Sequence, residues 1–201
     1  MRFETSHLTP HTSHLTPHTE NRKPKTENRK PKLNTESTTR ILGIDPGLNI
    51  TGYGVLAVHG NDLELVEAGV IRSVRSQDLS LRLKSIHDGL LDVIDSLKPD
   101  CMGLEQLYSH YQRPQTAIIM GHARGVICLA AGQRDLPLVS YAATQVKKVL
   151  TGNGRAPKTQ VQLAVARHLA LDDVPEPPDV ADALAIAICH YYLSLKPSSL
   201  T

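Results

Sequence analysis

Apolar positions along the chain change their spacing several times, and each spacing predicts a different kind of element. Five short apolar runs have the length and the bounding turn signals of β-strands: residues 41–44, 53–58, 63–72, 101–104 and 137–141. Five longer stretches repeat apolar residues at helical spacing: residues 78–97, 114–129, 142–150, 158–170 and 179–195. The order β-β-β-α-β-α-β-α-α-α predicts an α/β domain whose mixed five-stranded sheet, antiparallel in front and parallel behind, is flanked by helices.

The beginning of the chain lacks this pattern and is built from tandem repeats instead. A seven-residue unit that starts at Thr5 is repeated from Thr12, and a second unit that starts at Thr19 is repeated from Thr26. The segment is polar and contains proline, so burial cannot offset the entropy cost of ordering it. We therefore predict a disordered extension over 1–39, a folded domain over 40–195 and a short tail over 196–201. The exact copies suggest either a recent duplication or a reading frame that is assigned too far upstream.

Charge is distributed unevenly between these parts. Residues 1–40 hold eight Lys or Arg and four Asp or Glu, whereas the remaining residues hold fourteen and sixteen. The folded part is not basic overall, so a nucleic-acid partner would have to be bound by a local basic patch. No apolar run in the sequence reaches the roughly 18 residues that a membrane-spanning helix needs. The three cysteines form no Cys-x-x-Cys pair, which favours buried free thiols and a cytoplasmic location.

Four carboxylates stand at positions where they can converge. Asp45 ends the first strand, just before Pro46-Gly47, and Glu105 ends the fourth strand. If those strands are parallel neighbours, both side chains lie at the sheet edge where α/β proteins bind ligands. Asp179 and Asp182 share one face of the last helix, in its first turn. Taken singly, these residues are also explained as a strand-end cap and as acids that favour a helix N-terminus.

A cluster of four carboxylates favours a metal site. The like charges would repel one another strongly unless divalent cations lay among them, and an all-oxygen set suits magnesium or manganese better than zinc. Two such ions roughly 4 Å apart can activate water and stabilise the leaving oxygen in phosphodiester hydrolysis. We therefore predict that Asp45, Glu105, Asp179 and Asp182 are catalytic ligands of two Mg²⁺ ions, with Mn²⁺ as a substitute.

The stretch from residue 134 to residue 168 supplies positive charge. One acid, Asp135, stands against six basic residues: Arg134, Lys147, Lys148, Arg155, Lys158 and Arg167. Arg155 and Lys158 flank a glycine-rich loop that suits contact with phosphates. In the loop after Glu105, Tyr108 and Tyr111 suit stacking on unpaired bases, and packing against the neighbouring helix is the alternative.

Six motifs in this order resemble one known family, the RuvC-type Holliday junction resolvases, over about residues 40–193. The motifs are Ile-Leu-Gly-Ile-Asp45-Pro-Gly, Leu-Glu105-Gln, Gly-His-Ala-Arg-Gly125, Gln-Val-Lys147-Lys, Gly-Asn-Gly-Arg-Ala-Pro-Lys158 and Asp179-Val-Ala-Asp182-Ala-Leu-Ala. The resemblance implies a ribonuclease H-like fold and a homodimer that resolves four-way DNA junctions by paired, magnesium-dependent nicks. It also implies the RuvA–RuvB branch-migration complex as a partner.

The resemblance assigns roles to individual residues. It implies that the four acids are catalytic, that Lys147 and Lys158 contact DNA, and that Tyr108 engages bases at the junction centre. The loop from residue 108 to residue 115 is about one residue longer than its usual equivalent, so Tyr111 remains an alternative to Tyr108. The repetitive extension has no counterpart in the family.

Two other functions are consistent with parts of the sequence. An actin-like ATPase also places a phosphate loop after an Asp-x-Gly at its first strand, but it needs two nucleotide-clamping domains, and about 160 folded residues are too few for them. A catalytically silent module that binds junctions would use the basic patch. Its DNA binding would favour the loss of the four acids, all of which are present.

Overall fold

One mixed sheet of five strands forms the centre of the fold. The structure is a computed structural model that describes residues 38–107 and 114–196. Its strands are β1 (Thr39–Asp45), β2 (Ile50–His59), β3 (Asp62–Arg72), β4 (Cys101–Glu105) and β5 (Leu138–Tyr141). They are arranged in the order β3-β2-β1-β4-β5. The first three pair antiparallel, and β1, β4 and β5 pair parallel, as the sequence predicts.

Five α-helices cover the two faces of the sheet. They are α1 (Leu79–Leu97), α2 (Pro114–Gln133), α3 (Ala143–Thr151), α4 (Lys158–His168) and α5 (Pro178–His190). One buried cluster joins the sheet to α1 and α2 through residues such as Ile44, Leu90 and Ile127. A second cluster joins the opposite face to α3, α4 and α5 through residues such as Ile41, Val165 and Leu184. The sheet therefore has an apolar core on each side.

The ends of α2 and α5 differ most from the sequence prediction. Helix α2 continues four residues beyond Leu129, because Ala130 and Ala131 extend its buried face. The α-helical part of α5 ends at His190, and the segment Tyr191–Leu195 continues as a wider π-helical turn. Within this segment, Ser194 Oγ lies 2.8 Å from the hydroxyl of Tyr141. A local departure of this kind depends on tertiary contacts, which the periodicity of the sequence does not encode.

The cysteines agree with the predicted free thiols. Cys101, Cys128 and Cys189 form no disulfide, and Cys101 and Cys189 are buried, whereas Cys128 is half-buried. Among the helices of the described ranges, 38–107 and 114–196, none is both long and apolar enough to cross a membrane.

Candidate active site

The ends of β1 and β4 bring the first two predicted acids together. Ile44 pairs with Leu104 in the parallel register, so Asp45 and Glu105, the next residue of each strand, leave the same edge of the sheet side by side. Their carboxyl groups are hydrogen-bonded to each other. The predicted juxtaposition of the two strand ends is therefore present.

Helix α5 brings the other two acids to this edge. Gly52 is the partner of Asp45 in the β1–β2 pairing, and a Cβ atom at Gly52 would lie 2.1 Å from the carbonyl oxygen of Asp179. The missing side chain lets the start of α5 rest directly on the sheet. From residue 180 to residue 190 every residue of α5 is buried except Asp182, which faces the acidic edge. The charges of Asp179 and Asp182 both act on Asp45.

Burial and the closeness of the acids change the pKa values of Asp45 and Glu105. Burial, the charge of Glu105, the hydrogen bond with Glu105 and the charges of Asp182 and Asp179 raise the pKa of Asp45 to about 8. Burial also raises the pKa of Glu105, although the hydrogen bond from Asp45 and the charges of Lys147 and Lys158 oppose that rise. In the absence of a cation, burial and like charge therefore favour one proton shared by the Asp45–Glu105 pair.

Two of the predicted basic residues face the same site. Lys147 on α3 and Lys158 at the first position of α4 line a cavity of about 220 Å³ together with Glu105 and Asp182. Lys158 Nζ donates a hydrogen bond of 2.6 Å to Oδ2 of Asp182. Burial lowers the pKa of Lys158, but this hydrogen bond and the nearby carboxylates outweigh burial, so the pKa is raised. The lysine ammonium thus remains charged beside the acids.

The other predicted DNA-binding residues lie elsewhere. Arg155 is exposed in the loop between α3 and α4, where its backbone N–H bonds to the side chain of Asn153, and it is not among the residues that line the cavity. Tyr108 and Tyr111 lie outside the described residues.

The four acids offer divalent ions a donor set made only of carboxylate oxygens. In the described ranges no three His, Cys, Asp or Glu side chains are already arranged as a metal-binding group. The four acids nevertheless act on one another strongly enough to raise the pKa of Asp45, and one oxygen of Asp182 is held by Lys158. A hard divalent cation fits such an oxygen-only, mutually repelling set, because it would replace the shared proton and the Lys158 ammonium as the neutralising charge.

Sequence reasoning missed Arg124, which braces the end of β4. Its side chain donates a hydrogen bond of 3.3 Å to the carbonyl oxygen of Glu105 and a second one to the hydroxyl of Ser140 on β5. The signal was a single arginine on a helix with few charges, inside the Gly-His-Ala-Arg-Gly125 motif. Arg124 fixes the backbone from which Glu105 projects.

The sheet order, the mixed strand directions and the acidic edge define a class of protein: a nuclease with a ribonuclease H-like fold. Comparison with known proteins identifies the family. The family model described as crossover junction endodeoxyribonuclease RuvC matches residues 41–190. The chain belongs to this family, which confirms the resemblance, the fold and the enzyme class inferred from the sequence. Membership of this nuclease family implies dependence on a divalent metal ion.

Individual relatives cover nearly the whole of the folded chain. The crossover junction endodeoxyribonuclease RuvC of Rhodopirellula baltica is 60% identical over 161 residues, which are 80% of this chain and 90% of the relative. The RuvC structure from Thermus thermophilus matches with a TM-score of 0.71 at 33% identity, over 77% of this chain and 94% of that one. The same protein in complex with a Holliday junction substrate matches with a TM-score of 0.69 at 31% identity, over 77% and 93% of the two chains.

Proposed function

We propose that this chain is a structure-selective endonuclease that resolves four-way DNA junctions by paired symmetric nicks, in homologous recombination and DNA repair. The observation that carries the proposal is the convergence of four carboxylates and two lysines on one edge of the sheet. This combination suits a metal-dependent phosphodiester nuclease, because the acids can bind cations and the lysines can bind the DNA backbone. The relative solved with a Holliday junction supports the choice of substrate.

The proposed ligands are divided between two Mg²⁺ ions, with Mn²⁺ able to replace them. Asp45 and Glu105 would hold one ion, and Asp45 would help Asp179 and Asp182 to hold the second. Carboxylates that are supplemented by substrate phosphates are the ligands that Mg²⁺ prefers. When bound, the ions supply Lewis-acid activation of water and of the scissile phosphate.

The side chains of this chain carry out the remaining steps. Asp45 must give up the proton it shares with Glu105 before both carboxylates act as ligands. Lys147 and Lys158 face the same cavity and hold the phosphates next to the scissile bond. Arg155, which is exposed between α3 and α4, contacts the backbone further along the DNA. The products are 5′-phosphate and 3′-hydroxyl ends, and no covalent enzyme intermediate is required.

A homodimer is part of the proposal, because a symmetric junction requires two active sites. The outer face of α2 supports this: Ile118 is 60% exposed and Leu129 is 55% exposed. Between them, a Cβ atom added at Gly121 or at Gly125 would meet no described atom within 4 Å. Such an apolar stripe with small residues lets a second copy of the same helix approach closely, as an isologous interface requires.

A branch-migration complex of the RuvA–RuvB type and a cytoplasmic location complete the proposal, since both follow from a chromosomal junction as substrate.

The test is a cleavage assay on a synthetic four-way junction, beside a linear duplex of the same sequence, with Mg²⁺, with Mn²⁺ and with EDTA. We expect symmetric paired nicks in the junction only, and only when a divalent ion is present. Junction binding without cutting, over several junction sequences and with both metals, would contradict the proposal and favour a silent junction-binding module.

A further inference from the structure

Lys158 is held in a defined place by its own loop and helix. It is the first residue of α4 and follows a loop in which the backbone N–H of Ala156 donates to the carbonyl oxygen of Asn153 at 3.0 Å. Ala156 is 1% exposed, and Val161, one turn into α4, is 5% exposed. The backbone of Lys158 is thereby anchored, whereas its four-carbon side chain is free to change direction.

The ammonium of Lys158 occupies one oxygen of a proposed metal ligand. The distance from its Nζ to Oδ2 of Asp182 is 2.6 Å. A carboxylate oxygen that accepts a charged hydrogen bond is a weaker ligand, and a positive charge at this distance repels an arriving cation. Lys158 therefore competes directly with a metal ion for Asp182.

The pair lies where DNA can break it. The side chain of Lys158 is 54% exposed and that of Asp182 is 30% exposed, at the open cavity beside Glu105. An ion pair in contact with solvent is weak, so a phosphate that reaches the cavity can take the lysine from the aspartate at little cost. Lys147 lines the same cavity but forms no ion pair within the described part of the chain, so it lacks this competition.

We propose that Lys158 is an exchangeable counter-ion of the metal site, paired with Asp182 in the free protein and transferred to a backbone phosphate when DNA binds. The transfer frees Asp182 for a cation, so that DNA and metal each strengthen the binding of the other. The protein thereby completes its metal site mainly on DNA. This inference rests on the proposed function, because it takes Asp182 as a metal ligand and a phosphodiester backbone as the substrate.

The experiment measures Mn²⁺ binding to the full chain without DNA, by electron paramagnetic resonance of the free ion, for wild type, Lys158→Met, Lys147→Met and Asp182→Asn. Loss of the competing ammonium should tighten Mn²⁺ binding to Lys158→Met by roughly three- to tenfold. Lys147→Met removes the same charge from the same cavity without freeing an oxygen of Asp182, so it should tighten Mn²⁺ binding clearly less than Lys158→Met does. Lys158→Gln repeats the test, with thermal unfolding as a check on folding.

Junction binding in EDTA completes the design. Both lysine variants should bind a four-way junction several-fold more weakly than wild type, since each loses one phosphate contact. Mn²⁺ binding to Lys158→Met that is no tighter than to wild type, or unchanged junction binding by that variant, would overturn the counter-ion role. If Asp182→Asn also binds Mn²⁺ like wild type, the assignment of Asp182 as a metal ligand fails with it; if Asp182→Asn alone is weakened, only the counter-ion role fails.

Discussion

At the scale of single residues, Asp45 is the acid of the site on which burial and neighbouring negative charges act most strongly. It is the ligand that both proposed ions share, and burial together with three neighbouring acids raises its pKa to about 8. A buried group of this kind is costly unless a cation neutralises the cluster. The crowding of buried carboxylates is therefore the cause both of the energetic cost of the site and of its proposed use as a cation site.

Replacing Asp45 by Asn should abolish cutting without abolishing DNA binding. The amide keeps the size of the side chain but removes the charge that both proposed ions require, so we expect the cleavage rate to fall by more than about 100-fold. Junction binding should be unchanged or tighter, because the amide never carries the negative charge that Asp45 brings close to the phosphates when it loses its proton. Asp92→Asn, on the exposed surface of α1, makes the same chemical change and should cut normally. Normal cutting by Asp45→Asn would refute the proposed ligand set.

The raised pKa of Asp45 also predicts how stability depends on pH. Between its usual pKa of 3.8 and its folded value of about 8, the folded state binds more protons than the unfolded state. In the absence of metal, the contribution of Asp45 is therefore fully present below its usual pKa and is lost as the pH rises through about 8. Thermal unfolding in EDTA should show Asp45→Asn to be more stable than wild type at about pH 9, and closer to wild type at about pH 5. An equal difference at both pH values would contradict the assignment.

At the scale of elements, α5 lies on a row of glycines that crosses the sheet. Gly54, Gly43 and Gly103 are paired neighbours on β2, β1 and β4. A Cβ atom at Gly43 would lie 2.1 Å from the carbonyl oxygen of Ala183 and 2.7 Å from the backbone nitrogen of Ala187. This close approach sets the height of α5 above β1, and with it the distance from Asp182 to Asp45.

Gly43→Ala should therefore damage both the fold and the site. The new methyl group meets helix backbone, which cannot rotate away, so α5 must shift, and we expect a loss of about 3 kcal/mol or more in the free energy of unfolding. Cleavage should fall as well, because Asp179 and Asp182 move with the helix. Denaturant unfolding and the junction assay measure the two effects.

Gly132→Ala is the matched control for this substitution. No described atom lies within 4 Å of a Cβ at Gly132, near the end of α2, so alanine should change stability by no more than about 1 kcal/mol and in the stabilising direction. Equal effects of the two substitutions would show that close packing under α5 is not the cause.

At the scale of the whole molecule, the outer face of α2 is an apolar surface that the other described residues leave uncovered. Leu129→Arg places a charge at one end of this stripe, and we expect the dimer to dissociate into monomers that no longer make paired nicks. Leu163→Arg is the control, because Leu163 is 50% exposed on α4, away from α2. Light scattering measures the mass of each variant. A dimeric Leu129→Arg variant would place the interface elsewhere.

The repetitive extension should be dispensable for the chemistry. A chain that begins at Thr38 retains β1 through α5, including the four acids and both cavity lysines. We expect its unfolding temperature and its rate of junction cutting to match those of the full chain, since the repeats lack the apolar residues needed for a core. A clear loss of cutting would assign the extension a role in DNA binding, and intact-mass analysis of the native protein decides whether it is translated.

Local patterns in the sequence are enough to predict the elements and the candidate acids. Strand and helix periods are local properties, so the order of the elements and the position of Asp45 and Glu105 at strand ends could be predicted without a structure. The resemblance of the motifs to the family predicted the ribonuclease H-like fold and the DNA contacts of Lys147 and Lys158. The parallel pairing of β1 with β4 was a condition of that argument, and the structure satisfies it.

The tertiary structure alone decided how these elements are spaced and which charges meet. The close approach of α5 at Gly43, the bond from Arg124 to Glu105, the pairing of Lys158 with Asp182 and the open face of α2 all join residues far apart in the chain or depend on what packs nearby. A glycine in a strand or a lysine at a helix start has the same local pattern whether or not it makes such a contact. Local periodicity specifies elements, whereas the distances that control the proposed chemistry arise only when the elements pack.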